Sequence, residues 1–300
     1  MAMNGKHSIP VPCRYYPQVI YFMRVPEQNG NRVKPVDYFA THSVFRFEDF
    51  ASAHQEGGAR KPTASKAVLQ QHLRAGHLVH LRRGLYAAVP RGASAHDVQV
   101  DPFLLGSLLA PDAVIAFHTA LQLHGRAHSL SRRVTYLTRT RAKPFGFRGA
   151  EFVPVPVPPT LRRLRDMGGG IAEVSRMGLP VRVTTLERTL VDVLDAPRHG
   201  GGWEEIWRSL ESVEFFDVDA VTDYALKLGS AVTVAKVGFF LEQHREELML
   251  EESHLERLQE HAPSQPRYLE RGKREPGRLL TRWNLVVPER VLNRTWAEVT

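Results

Sequence analysis

Residues 62–90 read PTASKAVLQQHLRAGHLVHLRRGLYAAVP, and the folding of this stretch decides how the rest of the chain is read. Thr63 or Ser65 supplies an N-cap, Val68, Leu69 and Leu73 recur at helical spacing, and Gly76 follows as a stop. Leu78 to Arg82 and Leu85 to Val89 are two short β-prone runs. Arg82-Arg83-Gly84 between them supplies a turn in which Gly84 is free to take a positive φ. Two earlier segments complete the unit: Pro35 to Thr41, carrying Val36, Tyr38 and Phe39, and Phe47 to His54, carrying Phe47, Phe50 and Ala51. Helices followed by a two-stranded wing with a basic tip predict a winged helix-turn-helix over residues 34–91.

On a helical wheel, Ala64 to Ala75 turns Val68, Leu69 and Leu73 to one side and leaves Lys66, Ala67, Gln70, Gln71 and Arg74 on the other, a face short of carboxylates. Such a face suits duplex DNA. Lys and Arg neutralise phosphates, and Gln pairs bidentately with an adenine edge in the major groove. The candidate DNA-binding residues are Arg60 and Lys61 leading into the helix and Thr63 and Ser65 at its start. Lys66, Gln70, Gln71 and Arg74 follow on its outer face, with Arg82 and Arg83 at the wing. A solvated helix face beside an ordinary hairpin is the plain alternative. The order of helix, glycine stop and arginine-tipped wing favours DNA.

Three hundred residues suffice for two domains, and 43% hydrophobic with 24% charged residues reads as a globular, soluble chain. No run reaches the about eighteen apolar residues of a membrane span, and the N-terminus lacks a signal peptide's apolar core. A cytoplasmic protein with no membrane partner is expected. The single cysteine, Cys13, excludes a disulfide framework and a cysteine metal cluster. The net charge is +8, and its distribution says more than its total: residues 1–200 hold 27 Lys and Arg against 14 Asp and Glu, residues 201–300 hold 13 against 18. The basic excess therefore coincides with the candidate DNA-binding unit.

Residues 1–33 read as a leader interrupted by Pro10, Pro12, Pro17 and Pro26. Beyond the wing, residues 90–100 form a linker, and residues 101–200 read as an α+β domain. Asp101 caps a helix over PFLLGSLL, and AVIAFHTALQLHG predicts a second helix ended by Gly125. Val134 to Thr138 predicts a strand, Phe152-Val153 begins another before Pro154 and Pro156, and Ile171 to Ser175 with Val181 to Val183 predicts a hairpin around Met177-Gly178. Thr184 and Glu187 are spaced as a capping box for a helix burying Leu186, Leu190, Val193 and Leu194. Residues 201–300 read as the helical C-terminal part of the same domain, with a short strand at Leu285-Val286-Val287. Arg267, Arg271, Lys273, Arg274, Arg278 and Arg282 form a basic run that suits a second nucleic-acid contact or a solvated loop.

Catalytic readings find little support. His118 and His124 are six residues apart and so fall on different faces of a helix, while His128 lies past Gly125; structural histidines explain them better than a metal site. No HExxH, GxSxG, P-loop or dinucleotide glycine pattern occurs. Gly106-Ser107 and Gly229-Ser230 resemble nucleotidyltransferase openings but lack the spaced carboxylates that hold two magnesium ions. Arg188 and Asp192 stand at i, i+4 and are explained equally by an intrahelical ion pair. The expectation is a non-enzyme with no catalytic residues, no metal and no cofactor.

Four stretches, RAGHLVHLRRGLYAAVP, PDAVIAFHTALQLHG, PVRVTTLERTLVDVLD and RWNLVVP, lie in an order that resembles the AbiEi-type antitoxins of type IV toxin–antitoxin (abortive infection) systems. They span most of residues 34–288, and none is a catalytic signature. The resemblance implies an N-terminal winged helix that binds operator DNA and represses its own operon. It also implies a C-terminal domain that counteracts a nucleotidyltransferase-type toxin without requiring direct contact. The long leader departs from the family's pattern. Two alternatives stand beside this reading: a nucleic-acid-processing enzyme targeted by a winged helix, and a transcriptional regulator with a ligand-sensing C-terminal domain.

Overall fold

The computed structural model describes residues 34–56, 62–270 and 275–296. The expected leader, Arg60 and Lys61, and Arg271, Lys273 and Arg274 of the basic run lie outside the described residues. The chain is a mixed α+β protein.

Its first unit runs α1 (Pro35–Thr41), β1 (Val44–Arg46), α2 (Phe47–Glu56), α3 (Pro62–Arg74), β2 (Leu78–Arg82) and β3 (Leu85–Ala88). The strands form an antiparallel sheet in the order β1-β3-β2. α3 starts at Pro62, so Thr63 and Ser65 lie inside the helix and do not cap it. Its end is a Schellman motif: His77 N–H donates to the His72 carbonyl at 3.0 Å, Gly76 N–H to that of Leu73 at 3.1 Å, and Gly76 has φ +72°. Tyr38, Phe45, Phe50, Leu69 and Leu78 make the core between helices and sheet. β1 was not anticipated, because three residues carry too little period to be read.

The second unit contains α4 (Pro102–Ser107), β4 (Val114–Ile115), α5 (His118–Leu123), β5 (Arg133–Thr138), β6 (Phe145–Phe147), β7 (Ala150–Pro156), β8 (Ile171–Arg176), β9 (Leu179–Thr184) and α6 (Leu186–Asp195). Its six-stranded sheet has the order β6-β7-β5-β4-β9-β8. The helix expected over AVIAFHTALQLHG is split. Val114 and Ile115 form a central strand, Phe117 turns at φ +57°, and only then does α5 begin. β-branched residues buried from both faces favour the strand. β7 runs on through Pro154 and Pro156, since β6 pairs only with residues 150–152 and leaves the far side of those prolines without a sheet partner. The β8–β9 hairpin turns at Met177-Gly178 as expected, both with positive φ. The cap of α6 is Thr185, which accepts from Arg188 N–H; Thr184 bonds instead to the Thr189 hydroxyl at 2.7 Å, so the expected capping box does not form.

The last part comprises α7 (Trp203–Glu211), α8 (Val218–Leu228), α9 (Ala231–Gln243), α10 (Glu252–Gln259), β10 (Arg267–Tyr268), β11 (Gly277–Leu280), β12 (Leu285–Pro288) and α11 (Glu289–Leu292). It is not purely helical, because β12 pairs with both β10 and β11. Side chains alternate across the six-stranded sheet. Val114, Leu137 and Val155 join α6 to α9 and Trp283 in one core. Ile115, Val134, Tyr136, Phe152 and Val183 face the other way, toward α4. That second face is also covered by Val44 of β1 and Leu85 of β3. The first unit is thus docked by its sheet, and Arg46 secures it by donating to the carbonyls of Leu108 (2.9 Å) and Ala110.

Candidate nucleic-acid interface

α3 presents Thr63, Lys66, Ala67, Gln70, Gln71 and Arg74 to solvent and buries Leu69 against α1 and α2. The outer face read from the wheel is therefore the outer face of the fold. Ser65 belongs to the opposite side. It is completely buried, and its hydroxyl lies 3.0 Å from Nδ1 of His54 on α2, so it does not reach the surface and is removed from the candidate DNA contacts. Its place on the wheel, one step from Leu69, was the signal. From Gly57 to His96 the sequence contains no Asp or Glu. The carboxylates of the first unit belong to α1 and α2, at Asp37, Glu48, Asp49 and Glu56, and Asp49 raises the pKa of Tyr38 second only to burial.

The two arginines of the hairpin differ. Arg83 is exposed at the turn beside Gly84, which has φ +75° and open space around it. Arg82 is half-buried, with its guanidinium 5.9 Å from the centre of the Phe145 ring on β6. A cation over an aromatic face is held there. Arg82 therefore leans toward the six-stranded sheet, while Arg83 has no hydrogen-bond or ion-pair partner among the described residues.

Two arginines of the basic run near the C-terminus are paired with carboxylates. Arg282 lies between Glu242 (3.3 Å) and Glu252 (2.5 Å), and Arg278 lies 3.8 Å from Glu289. Arg282 and Arg278 thus have carboxylate partners within the fold, while Arg267 is exposed.

The residues weighed for catalysis have structural partners. His118 Nε2 is 2.9 Å from Glu205 Oε1, which also accepts from Ser129 N–H and the Ser209 hydroxyl; His124 Nε2 is 2.8 Å from the Thr184 carbonyl. Burial by itself raises the Glu205 carboxyl, but the hydrogen bonds from Ser129, Ser209 and His118 outweigh it and bring its pKa to about 2. Arg188 and Asp192 form a buried pair at 3.3 Å. Arg188 donates to the carbonyls of Met167 and Gly169, and Asp192 accepts from Tyr224 OH at 2.8 Å. Burial raises the Asp192 pKa against the opposing pull of Arg188. Ser230 caps α9, and Ser107 donates to the Leu104 carbonyl. Among the described residues, no group of three or more His, Cys, Asp or Glu side chains is placed to hold a metal. None of their helices is long and apolar enough to cross a membrane. A cavity of about 500 Å³ lies where α6 meets α9, lined in part by Asp195, Arg198, Ser230 and Lys236. Thr233 in its wall donates to Asp195 at 2.5 Å, and Lys236 to the Leu194 carbonyl at 2.9 Å.

No family model matches the sequence, and no curated protein matches it. The architecture itself is shared with a solved structure. The RV2827C protein from Mycobacterium tuberculosis aligns at a TM-score of 0.54 over 88% of this chain and 94% of that one, with 17% sequence identity. At that identity the likeness is one of fold.

Proposed function

We propose that this chain is a sequence-specific DNA-binding repressor, built on an N-terminal winged helix-turn-helix, that acts as the antitoxin of a type IV toxin–antitoxin pair. The observation that carries the DNA-binding part is the outer face of α3. Lys66, Gln70, Gln71 and Arg74 are exposed together on a helix without a carboxylate, while its other side packs into the core. The element order α1-β1-α2-α3-β2-β3 and the sheet order β1-β3-β2 support a winged helix-turn-helix with α3 as the recognition helix. In this reading Lys66 and Arg74 pair with phosphates, Gln70 and Gln71 read base edges, and Thr63 and Arg83 contact the backbone at the two ends. Arg60 and Lys61 belong to the same approach by their position in the sequence.

The antitoxin part rests on the order of the four stretches that resemble AbiEi-type proteins, and its partner is a nucleotidyltransferase-type toxin that need not touch the chain. The test uses the promoter fragment upstream of the chain's own gene. Lys66→Ala with Arg74→Ala should weaken binding to every duplex and lower the salt dependence by about 2 in log–log slope. Gln70→Ala should instead cost about 1–3 kcal/mol on the preferred sequence and relax preference at one base pair. Retention of the fragment by both variants as well as by the parent would remove the DNA-binding assignment. Growth rescue by co-expression with a nucleotidyltransferase-like neighbour tests the antitoxin role. The cavity between α6 and α9 favours a second reading, a regulator with a ligand-sensing C-terminal part, which a small molecule that shifts duplex affinity would support.

A further inference from the structure

The loop from Arg139 to Pro144 leaves the end of β5 and returns as β6, and it opens a cleft of about 250 Å³ with Pro154, Pro156 and Arg162. β5 and β7 are parallel, so both end here. The outer ends of parallel strands are where open α/β sheets take their ligands.

Arg139, Arg141 and Arg162 line the cleft, and Lys143, Arg163 and Arg165 lie within a few residues of them in the chain; all six are exposed. Two carboxylates accompany them, and both are occupied. Asp112 accepts from the Thr138 hydroxyl (2.5 Å), the Arg139 N–H (2.7 Å) and the Thr140 hydroxyl (3.2 Å), and Asp166 lies 4.0 Å from Arg165. Arg139 donates to the Leu164 carbonyl at 2.6 Å, which ties the loop to the segment carrying Arg162 and Arg163. The side chains of Arg141, Lys143, Arg162 and Arg163 have no hydrogen-bond or ion-pair partner among the described residues. On the C-terminal helices and strands, by contrast, Arg245, Arg257, Arg282 and Arg290 each rest on a carboxylate. A group of cations left without counter-charge around a concave site is an electrostatic fit for phosphate.

The cleft also adjoins the wing. Phe145, the residue under the Arg82 guanidinium, directly follows the loop. Arg46 at the end of β1 holds the carbonyls of Leu108 and Ala110, and Asp112 just beyond holds Thr138 and Thr140. Two sets of hydrogen bonds, joined through Pro111, thus lie along the chain between β1 and the loop.

We propose that this cleft binds phosphodiester groups of the same duplex that α3 engages, so that the ends of β5 and β7 lengthen the DNA footprint beyond the wing. The inference rests on the DNA-binding reading of α3, and the experiment separates the two. Fluorescence anisotropy with the full chain compares a mixed-sequence duplex of about 30 base pairs with one of about 12, roughly a single helical turn. Arg141→Ala with Arg162→Ala should weaken binding to the long duplex severalfold at low salt and flatten its log–log salt slope by about 2, with little change on the short one. Lys66→Ala with Arg74→Ala should weaken both. An unchanged slope for the cleft variant on the long duplex overturns the footprint and leaves α3 intact. Loss confined to the cleft variant, with the α3 variant normal on both duplexes, sinks the α3 reading instead. Thermal stabilisation of the parent but not of the cleft variant by orthophosphate, with equal duplex affinity, overturns the proposal in favour of a small-anion site. Both arginines are exposed, so unchanged melting of the variants serves as the folding control.

Discussion

Single residues in this protein are decided by what surrounds them. Arg74 and Arg282 are the same residue in different surroundings: no carboxylate pairs with the first among the described residues, and the second is held between two. Ser65 looked like a cap or a phosphate ligand by residue type and lies buried beside His54. Glu205 and His199 are two groups whose surroundings couple stability to acid. His199 is lowered to about 4 from its ordinary 6.5, first by burial and then by Arg198 and Arg133. It stays neutral in the fold while the unfolded chain takes up a proton, so its stabilisation is complete above pH 6.5 and is lost as pH falls toward 4. Glu205, depressed from 4.5 to about 2, contributes above pH 4.5 and loses that contribution as pH falls through 2. Urea unfolding from pH 8 to pH 2 should show stability declining in these two windows, and Glu205→Gln should flatten the lower one. Parallel curves for parent and variant would show that this carboxylate carries no acid sensitivity.

At the scale of elements, period and punctuation were legible and pairing was not. α3, α6, α8 and α9 could be read because each turns one apolar stripe to the core between recognisable stops. β4 could not, since AVIA suits a buried helix and a buried strand equally and only the hydrogen bonds of β5 and β9 choose. β10 and β11 escaped notice because each is short and owes its existence to β12, which β10 meets in parallel across seventeen or so residues of chain. Gly238 is the clearest case. A glycine in the middle of a helix reads as a weakness worth about 1 kcal/mol relative to alanine. Here a Cβ would run into the buried ring of Trp283, which is anchored by its Nε1–H donating to Glu242 at 2.7 Å. Gly238→Ala should therefore destabilise by about 1–3 kcal/mol in chemical denaturation despite the gain in helix propensity. A stabilised variant would mean that the indole moves aside freely.

For the molecule as a whole, the contact between the first unit and the six-stranded sheet fixes where the first unit sits. Residues 90–100 read as a linker, and the units on either side of it are in contact: Val44 and Leu85 share a core with Ile115 and Val134, and Arg46 bonds across the junction. Arg46→Ala removes hydrogen bonds from a charged donor, each worth about 1.5–3 kcal/mol. Amide exchange in the variant should quicken in β1, β3 and the loop from Leu108 to Asp112, leaving α8 and α9 as protected as in the parent. Unchanged exchange in that loop would mean that the apolar contact alone holds the unit in place.

By itself the sequence determined the α+β character, the carboxylate-free stretch around α3, the amphipathic helices and the hairpin turns at Gly84 and Gly178. All of these follow from neighbours within a few positions, where side-chain period and backbone preference act directly. Only the tertiary structure decided that Ser65 is buried, that Arg82 leans on Phe145, that Arg282 is paired with Glu242 and Glu252, and that Arg141 and Arg162 from two separate segments line one cleft. Those outcomes depend on which surfaces meet, and contact between residues far apart in the chain is set by packing and desolvation of the whole, which no local pattern records.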